Sequence, residues 1–238
     1  MKRLILCFIY LIFLSVSLRA EKNEGIAYRD SILILAESMP SVTARLAYLQ
    51  SMAYCHQYFP YNRYFATALY EEAKRQKNIF YENEGAYYLA GYYDKKHDPD
   101  SLTYWVNQLK ELVSGVGTYD YYLERKAAIG RALASKRMIE KAVHVTKEVL
   151  EEAIAHNSNN GKIAAYNSLG CAYSVSSRQE EALKVLMKAY HEFKPGTKPF
   201  LKVDILSRIT QVYGNGGDDK SKMPYLCEMD KTLQEVMS

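Results

Sequence analysis

Cysteine is scarce in this chain. There are four in 238 residues, and only Cys55, Cys171 and Cys227 lie beyond the first twenty. An odd, sparse set without a C-x-x-C pair argues against a disulfide framework. Each of the three sits in an apolar helical stretch, so each is expected as a small buried hydrophobe. Histidine offers no metal site. His56, His97, His144, His156 and His191 never share a helix face at ligand spacing, and no H-E-x-x-H occurs. The G-x-S-x-G and Walker motifs are missing. Asp94, Asp98 and Asp100 fit no EF-hand loop, nor do Asp218 and Asp219, so helix capping is expected of both clusters. The pairs Glu71-Glu72, Glu151-Glu152 and Glu180-Glu181 are expected on solvated outer faces. No catalytic residue, metal ligand or cofactor site is expected, and the chain is not expected to be an enzyme.

Proline and glycine are also sparse, at six and twelve residues. Pro40, Pro60, Pro99, Pro195, Pro199 and Pro224 are expected between periodic runs or in a first helical turn, where a missing N–H costs little. Gly115–Gly117, Asn157–Gly161 and Gly214–Gly217 are expected as turns. No segment alternates as a half-buried strand would.

The one long apolar run is at the start. Lys2 and Arg3 precede an apolar or hydroxyl stretch from Leu4 to Leu18, closed by Ala20. This order is that of a secretory signal peptide, so residues 1–20 are expected to be a leader and 21–238 the working domain. The expected location is outside the cytoplasm, in the periplasm or cell envelope. Membrane association is expected only through a retained signal-anchor. The leader also accounts for the apparent basicity. It holds Lys2, Arg3 and Arg19 and no acid, so the whole-chain count of 31 basic and 27 acidic residues falls to 28 against 27, a net of +1. Nucleic-acid binding has no charge support.

What the chain does have is a pattern recurring every 40 residues. Leu89, Ile129, Leu169 and Ile209 form one series, followed by Ala90, Gly130, Gly170 and Thr210, then by Tyr93, Leu133, Tyr173 and Tyr213. Large, small, then large three positions on is one helix face that packs closely. A second helix per unit follows from Leu102, Ala142 and Ala182, from Val106, Thr146, Leu186 and Leu226, and from Leu109, Val149, Ala189 and Met229. Extended backwards, the phase lands on Leu49, Ala53, Ala66 and Leu69, a degraded copy with Asn62 at a core position. Eleven helices are expected, at about 26–38, 42–58, 62–77, 79–94, 99–114, 119–135, 138–155, 160–176, 179–193, 200–213 and 223–236. Such a period means stacked hairpins, because one hairpin cannot bury its apolar face alone.

Tyr166, Leu169, Gly170 and Tyr173, followed by Ala182, Leu186 and Ala189, resemble the tetratricopeptide repeat, with Tyr in place of its Trp. Residues 123–162 match less well, since Lys126 and Thr146 depart from the pattern. The period of 40 exceeds the usual 34, and HEAT-type repeats are the alternative. The resemblance implies an all-α, right-handed α-solenoid of about five tetratricopeptide-like hairpins plus an N-terminal capping helix. The combination of leader, long repeats and tyrosine is similar to the periplasmic sensor regions of membrane regulators in Bacteroidota. In that group the repeats precede a transmembrane helix and an output module, and neither is recognisable here.

Tyrosine is the compositional outlier, with 22 copies, fifteen of them between Tyr48 and Tyr122. Its ring gives large contact area at low entropic cost, which suits recognition, although most are expected to fill gaps between helices. By the family's offsets, the concave face implies a partner-binding set of Tyr54, Glu84, Tyr87, Glu124, Arg131 and Asn167. The lysine–asparagine clamp for a terminal carboxylate is not recognisable. The expected function is an exported binding scaffold, sensory or assembly, that engages a protein or peptide. The alternatives are a helical carrier of a small ligand or glycan, and a hydrolase without a local motif.

Overall fold

A computed structural model of the chain describes residues 26–56, 61–113 and 116–237; the expected leader lies outside the described residues. Every regular element among them is an α-helix. They are α1 (residues 26–37), α2 (Val42–Cys55), α3 (Asn62–Arg75), α4 (Ile79–Lys95), α5 (Pro99–Glu111), α6 (Val116–Ser135), α7 (Ile139–Ala155), α8 (Asn159–Val175), α9 (Gln179–His191), α10 (Pro199–Asn215) and α11 (Asp219–Met237). Each falls on an expected segment, with ends displaced by a few residues. Among the described residues, no helix is long and apolar enough to cross a membrane.

Six of the helix junctions among the described residues fall on a 20-residue grid, half the apolar period, with two grid positions skipped. Lys77, His97, Arg137, Asn157, Ser177 and Gly217 all adopt positive φ, between 50° and 74°. Each closes a helix with the same pair of bonds. At the fifth of these, Ser177 N donates to Ser174 O and Arg178 N to Tyr173 O, the Schellman arrangement. The next residue opens the following helix. Asp98 accepts from Ser101 N at 3.2 Å, Ser158 from Gly161 N at 2.9 Å and Asp218 from Ser221 N at 3.0 Å. The last cap corrects one expectation. Asp218 starts α11 at Asp219, so Pro224 lies inside the helix instead of in its first turn. It therefore removes one internal hydrogen bond. The Gly214–Gly217 turn is likewise shorter than expected, since α10 runs to Asn215.

Five of these six left-handed positions carry a side chain, at a cost of about 1–2 kcal/mol each before local compensation. Ser177 is exposed. Ser177→Gly should therefore stabilise the protein by about 0.5–1 kcal/mol, the relief being partly offset by glycine's larger unfolded-state entropy. Urea titration would check this, and an unchanged or lower midpoint would contradict the cap assignment.

The chain divides by compactness into two units, Met1–Tyr88 and Leu89–Ser238, with the boundary inside α4. In the first unit α2 packs on α3, burying Leu46, Leu49 and Ala53 with Phe65, Ala66, Leu69 and Ala73. Asn62 is 2 % exposed there, with its Oδ1 unpartnered, which is the local cost of the degraded repeat. In the second unit, α6, α8 and α10 each pack on the next helix, and α6 on α8 and α8 on α10. The 40-residue series supplies the contacts. Leu89, Leu169, Ile209, Leu102, Ala142, Ala182, Val106, Leu186, Leu109, Val149 and Ala189 are all buried. A Cβ on Gly170 would stand 2.6 Å from Leu186 Cγ and Cδ2, so α8 and α9 approach as the small-residue series requires.

Two motif departures are repaired locally. Thr146 is fully buried, donates to Ala142 O at 2.7 Å and shares a 3.1 Å hydrogen bond with Ser168. Lys126 bonds Glu152 at 2.6 Å, and the Tyr119 hydroxyl donates to the same carboxylate at 2.7 Å. Burial works to raise the Glu152 pKa, but these two hydrogen bonds outweigh it and hold it below its ordinary value.

Two further expectations are corrected. Glu72 is buried, not solvated: Arg45, Arg75 and Gln76 all reach its carboxylate. A helix turns 100° per residue, so Glu71 can face outward while Glu72 faces the core. Cys55 and Cys227 are exposed and Cys171 half-buried, so none of the three is the buried small hydrophobe expected of it.

Candidate binding face

The six candidate residues separate by unit and by environment. In the first unit, Tyr54 of α2 is 61 % exposed. Glu84 of α4 is buried and accepts a 3.1 Å hydrogen bond from Gln50 Nε2. Tyr87 is half-buried and lies edge-on to Tyr88, with ring centroids 5.8 Å apart. The same unit has a recess of about 410 Å³ between α1, α2 and α3, floored by Leu33, Leu49 and Ala68 and edged by the Glu72 ion pairs. None of the three candidates lines it.

In the second unit, Glu124 and Arg131 lie on α6 and Asn167 on α8. Arg131 is not a solvated charge. Its side chain is 18 % exposed, and Nη2 donates to Asp94 Oδ2 at 2.8 Å. Burial opposes its charge, but Asp94 and Asp204 outweigh that and push its pKa up. Arg125 approaches the same carboxylate at 4.0 Å, over Gly91, where a Cβ would stand 2.7 Å from its Nη2. Glu124 is 6 % exposed and accepts from Lys198 Nζ at 2.5 Å, while its second oxygen has no partner. Burial pushes its pKa up, and Lys198 and Arg125 offset only part of this.

Asn167 is 1 % exposed, and neither amide atom meets a hydrogen-bond partner. Its direction follows from helix geometry. Asn160, two turns earlier on the same stripe, donates to Asp120 of α6 at 3.2 Å, so Asn167 looks onto α6 further along. A buried amide without partners costs about 1–3 kcal/mol. Natural folds keep few such groups, and each calls for an explanation.

The residues that complete these environments left no local signal in the sequence. Asp94 read as part of a capping cluster, and Lys198 fell between two expected helices without a role of its own. Lys198 meets Glu124 across 74 positions, which no motif spacing encodes. Among the described residues, no group of three His, Cys, Asp or Glu side chains could hold a metal ion. Neither protein-family models nor curated proteins match this chain.

Proposed function

We propose that the chain is an exported binding scaffold, sensory or assembly, without catalytic activity, that engages a protein or peptide segment. In this reading α6–α7, α8–α9 and α10–α11 are tetratricopeptide-like hairpins of a right-handed solenoid. The packing of α6 on α8 and of α8 on α10, together with the close approach at Gly170, supports that arrangement. The observation that carries the functional reading is Asn167. Its amide is buried, and none of its four hydrogen-bonding positions meets a protein group, on the helix between two others of the same series. A binding face tolerates such a cost when a ligand supplies the missing partners, whereas a purely structural face has no use for it.

Asn167→Leu tests this. Leucine has a similar volume and no polar atoms, so the variant should gain about 1 kcal/mol of stability. The same variant should lose the peptides that the wild-type protein selects from a displayed random-peptide library. A variant that is both more stable and equally competent would leave Asn167 without a role. A library that yields nothing, with retention on a glycan array instead, would replace the scaffold by the carrier reading.

A further inference from the structure

Lys198 caps the N-terminus of α10, and its ammonium has unusual surroundings. Nζ lies 2.5 Å from Glu124 Oε1, 4.4 Å from the centre of the Tyr121 ring and 5.8 Å from that of Phe200. A carboxylate and two aromatic faces around one cation are the chemistry by which proteins recognise alkylammonium groups. The pieces come from separate places, with Tyr121 and Glu124 on α6 and Lys198 and Phe200 at the start of α10. Two features distinguish the arrangement from an ordinary clasp. Glu124 is almost wholly buried, yet its Oε2 has no partner, so the carboxylate is underused by the lysine that meets it. The lysine, by contrast, stands at an edge. It is 25 % exposed, Phe200 is 47 % exposed, and the preceding turn is held chiefly by the Lys194–Thr197 hydrogen bonds around Gly196, whose φ is 88°.

We propose that Glu124, Tyr121 and Phe200 form a cage for a partner's alkylammonium group, and that Lys198 fills it from within the chain until a partner displaces it. This rests on the scaffold reading and gives it a chemical class: a segment presenting a lysine side chain or a free α-amino group. Lys198 acts as a tethered competitor. Its effective concentration, of the order of millimolar for a short tether, sets how strongly a partner must bind to replace it.

The test uses the full mature chain. Lys198→Ala leaves the Glu124 carboxylate without its counter-ion, and the melting temperature should fall. Added n-butylammonium should restore it by mass action in this variant, and not in the Lys198→Ala, Glu124→Gln double variant. Lys198→Met keeps the aliphatic stem and serves if the alanine variant does not fold. By titration calorimetry, an N-acetylated peptide with a single lysine should bind Lys198→Met at least about tenfold more tightly than wild type. A lysine-free peptide with an unblocked amino terminus separates the two sources of the ammonium. Absence of both rescue and tighter binding would make the pair a structural clasp and overturn the proposal. Selected peptides that bind every variant equally would overturn the cage while sparing the scaffold reading, and failure of all peptides would overturn both.

Discussion

Gly130→Leu should be strongly destabilising, the more damaging of two overpacking substitutions in the second unit, with Gly170→Leu close behind. A Cβ at Gly130 would stand 2.5 Å from Ser168 Oγ and 3.3 Å from the carbonyl oxygen of Ala142, and closer still to Thr146 Oγ1. Three elements meet there, α6, α7 and α8, and one contact is backbone that cannot swing away. At Gly170 the obstruction is the Leu186 side chain at 2.6 Å, which is fully buried and has nowhere to move. Overpacking of this kind costs about 1–3 kcal/mol. Gly170→Leu should fall within that range and Gly130→Leu at its upper end. Gly214→Ala is the control. Gly214 lies in α10, and its Cβ would meet nothing closer than Lys222 Cδ at 3.8 Å. Alanine there should stabilise by about 1 kcal/mol through helix propensity alone. Thermal unfolding of the three variants checks the set. Equal effects at Gly130, Gly170 and Gly214 would mean that the small-residue series does not mark close helix contacts.

Arg131→Ala should destabilise the protein by about 1.5–3 kcal/mol, the range for a hydrogen bond to a charged group. The loss would come from Asp94, left half-buried at 18 % exposure with one fewer cation beside it. Asp94→Ala should cost a comparable amount. The double variant should cost less than the sum, because each single change already removes the 2.8 Å contact. A coupling near zero in the double-mutant cycle would return Arg131 to the role of a free recognition side chain. A strong coupling, with ligand capture unchanged in the double variant, would make it a structural brace between α4 and α6.

The candidate face shows where sequence reasoning holds and where it stops. Register was legible. Glu124 and Asn167 were placed by offset on the first helix of successive units, and they do lie on α6 and α8, two helices that pack together. Environment was not. The same offsets implied open, solvent-facing side chains, yet Glu124 and Asn167 are buried and Arg131 is ion-paired. Offset specifies an angle around one helix. Burial depends on how closely the helices on either side approach, and that distance is set by side chains elsewhere. Lys126 and Thr146 make the same point in reverse. They looked like mismatches, and each is satisfied by a partner, Glu152 or Ser168, more than twenty residues away.

The amino-acid sequence alone determined the helical class, the eleven segments and the 40-residue phase. These depend on local periodicity and on which positions are large or small, and both are written residue by residue. It did not reveal the 20-residue recurrence of the junctions. Lys77, His97, Arg137, Asn157 and Ser177 share a backbone conformation but not a residue type, and only Gly217, which lacks a Cβ, is the residue that would announce it. Packing of each helix against its neighbours holds those five in place at a cost the local sequence would not choose. The same is true of the Lys198–Glu124 contact. Its two ends are 74 residues apart, brought together because α8 packs on both α6 and α10. Only the folded chain makes them neighbours.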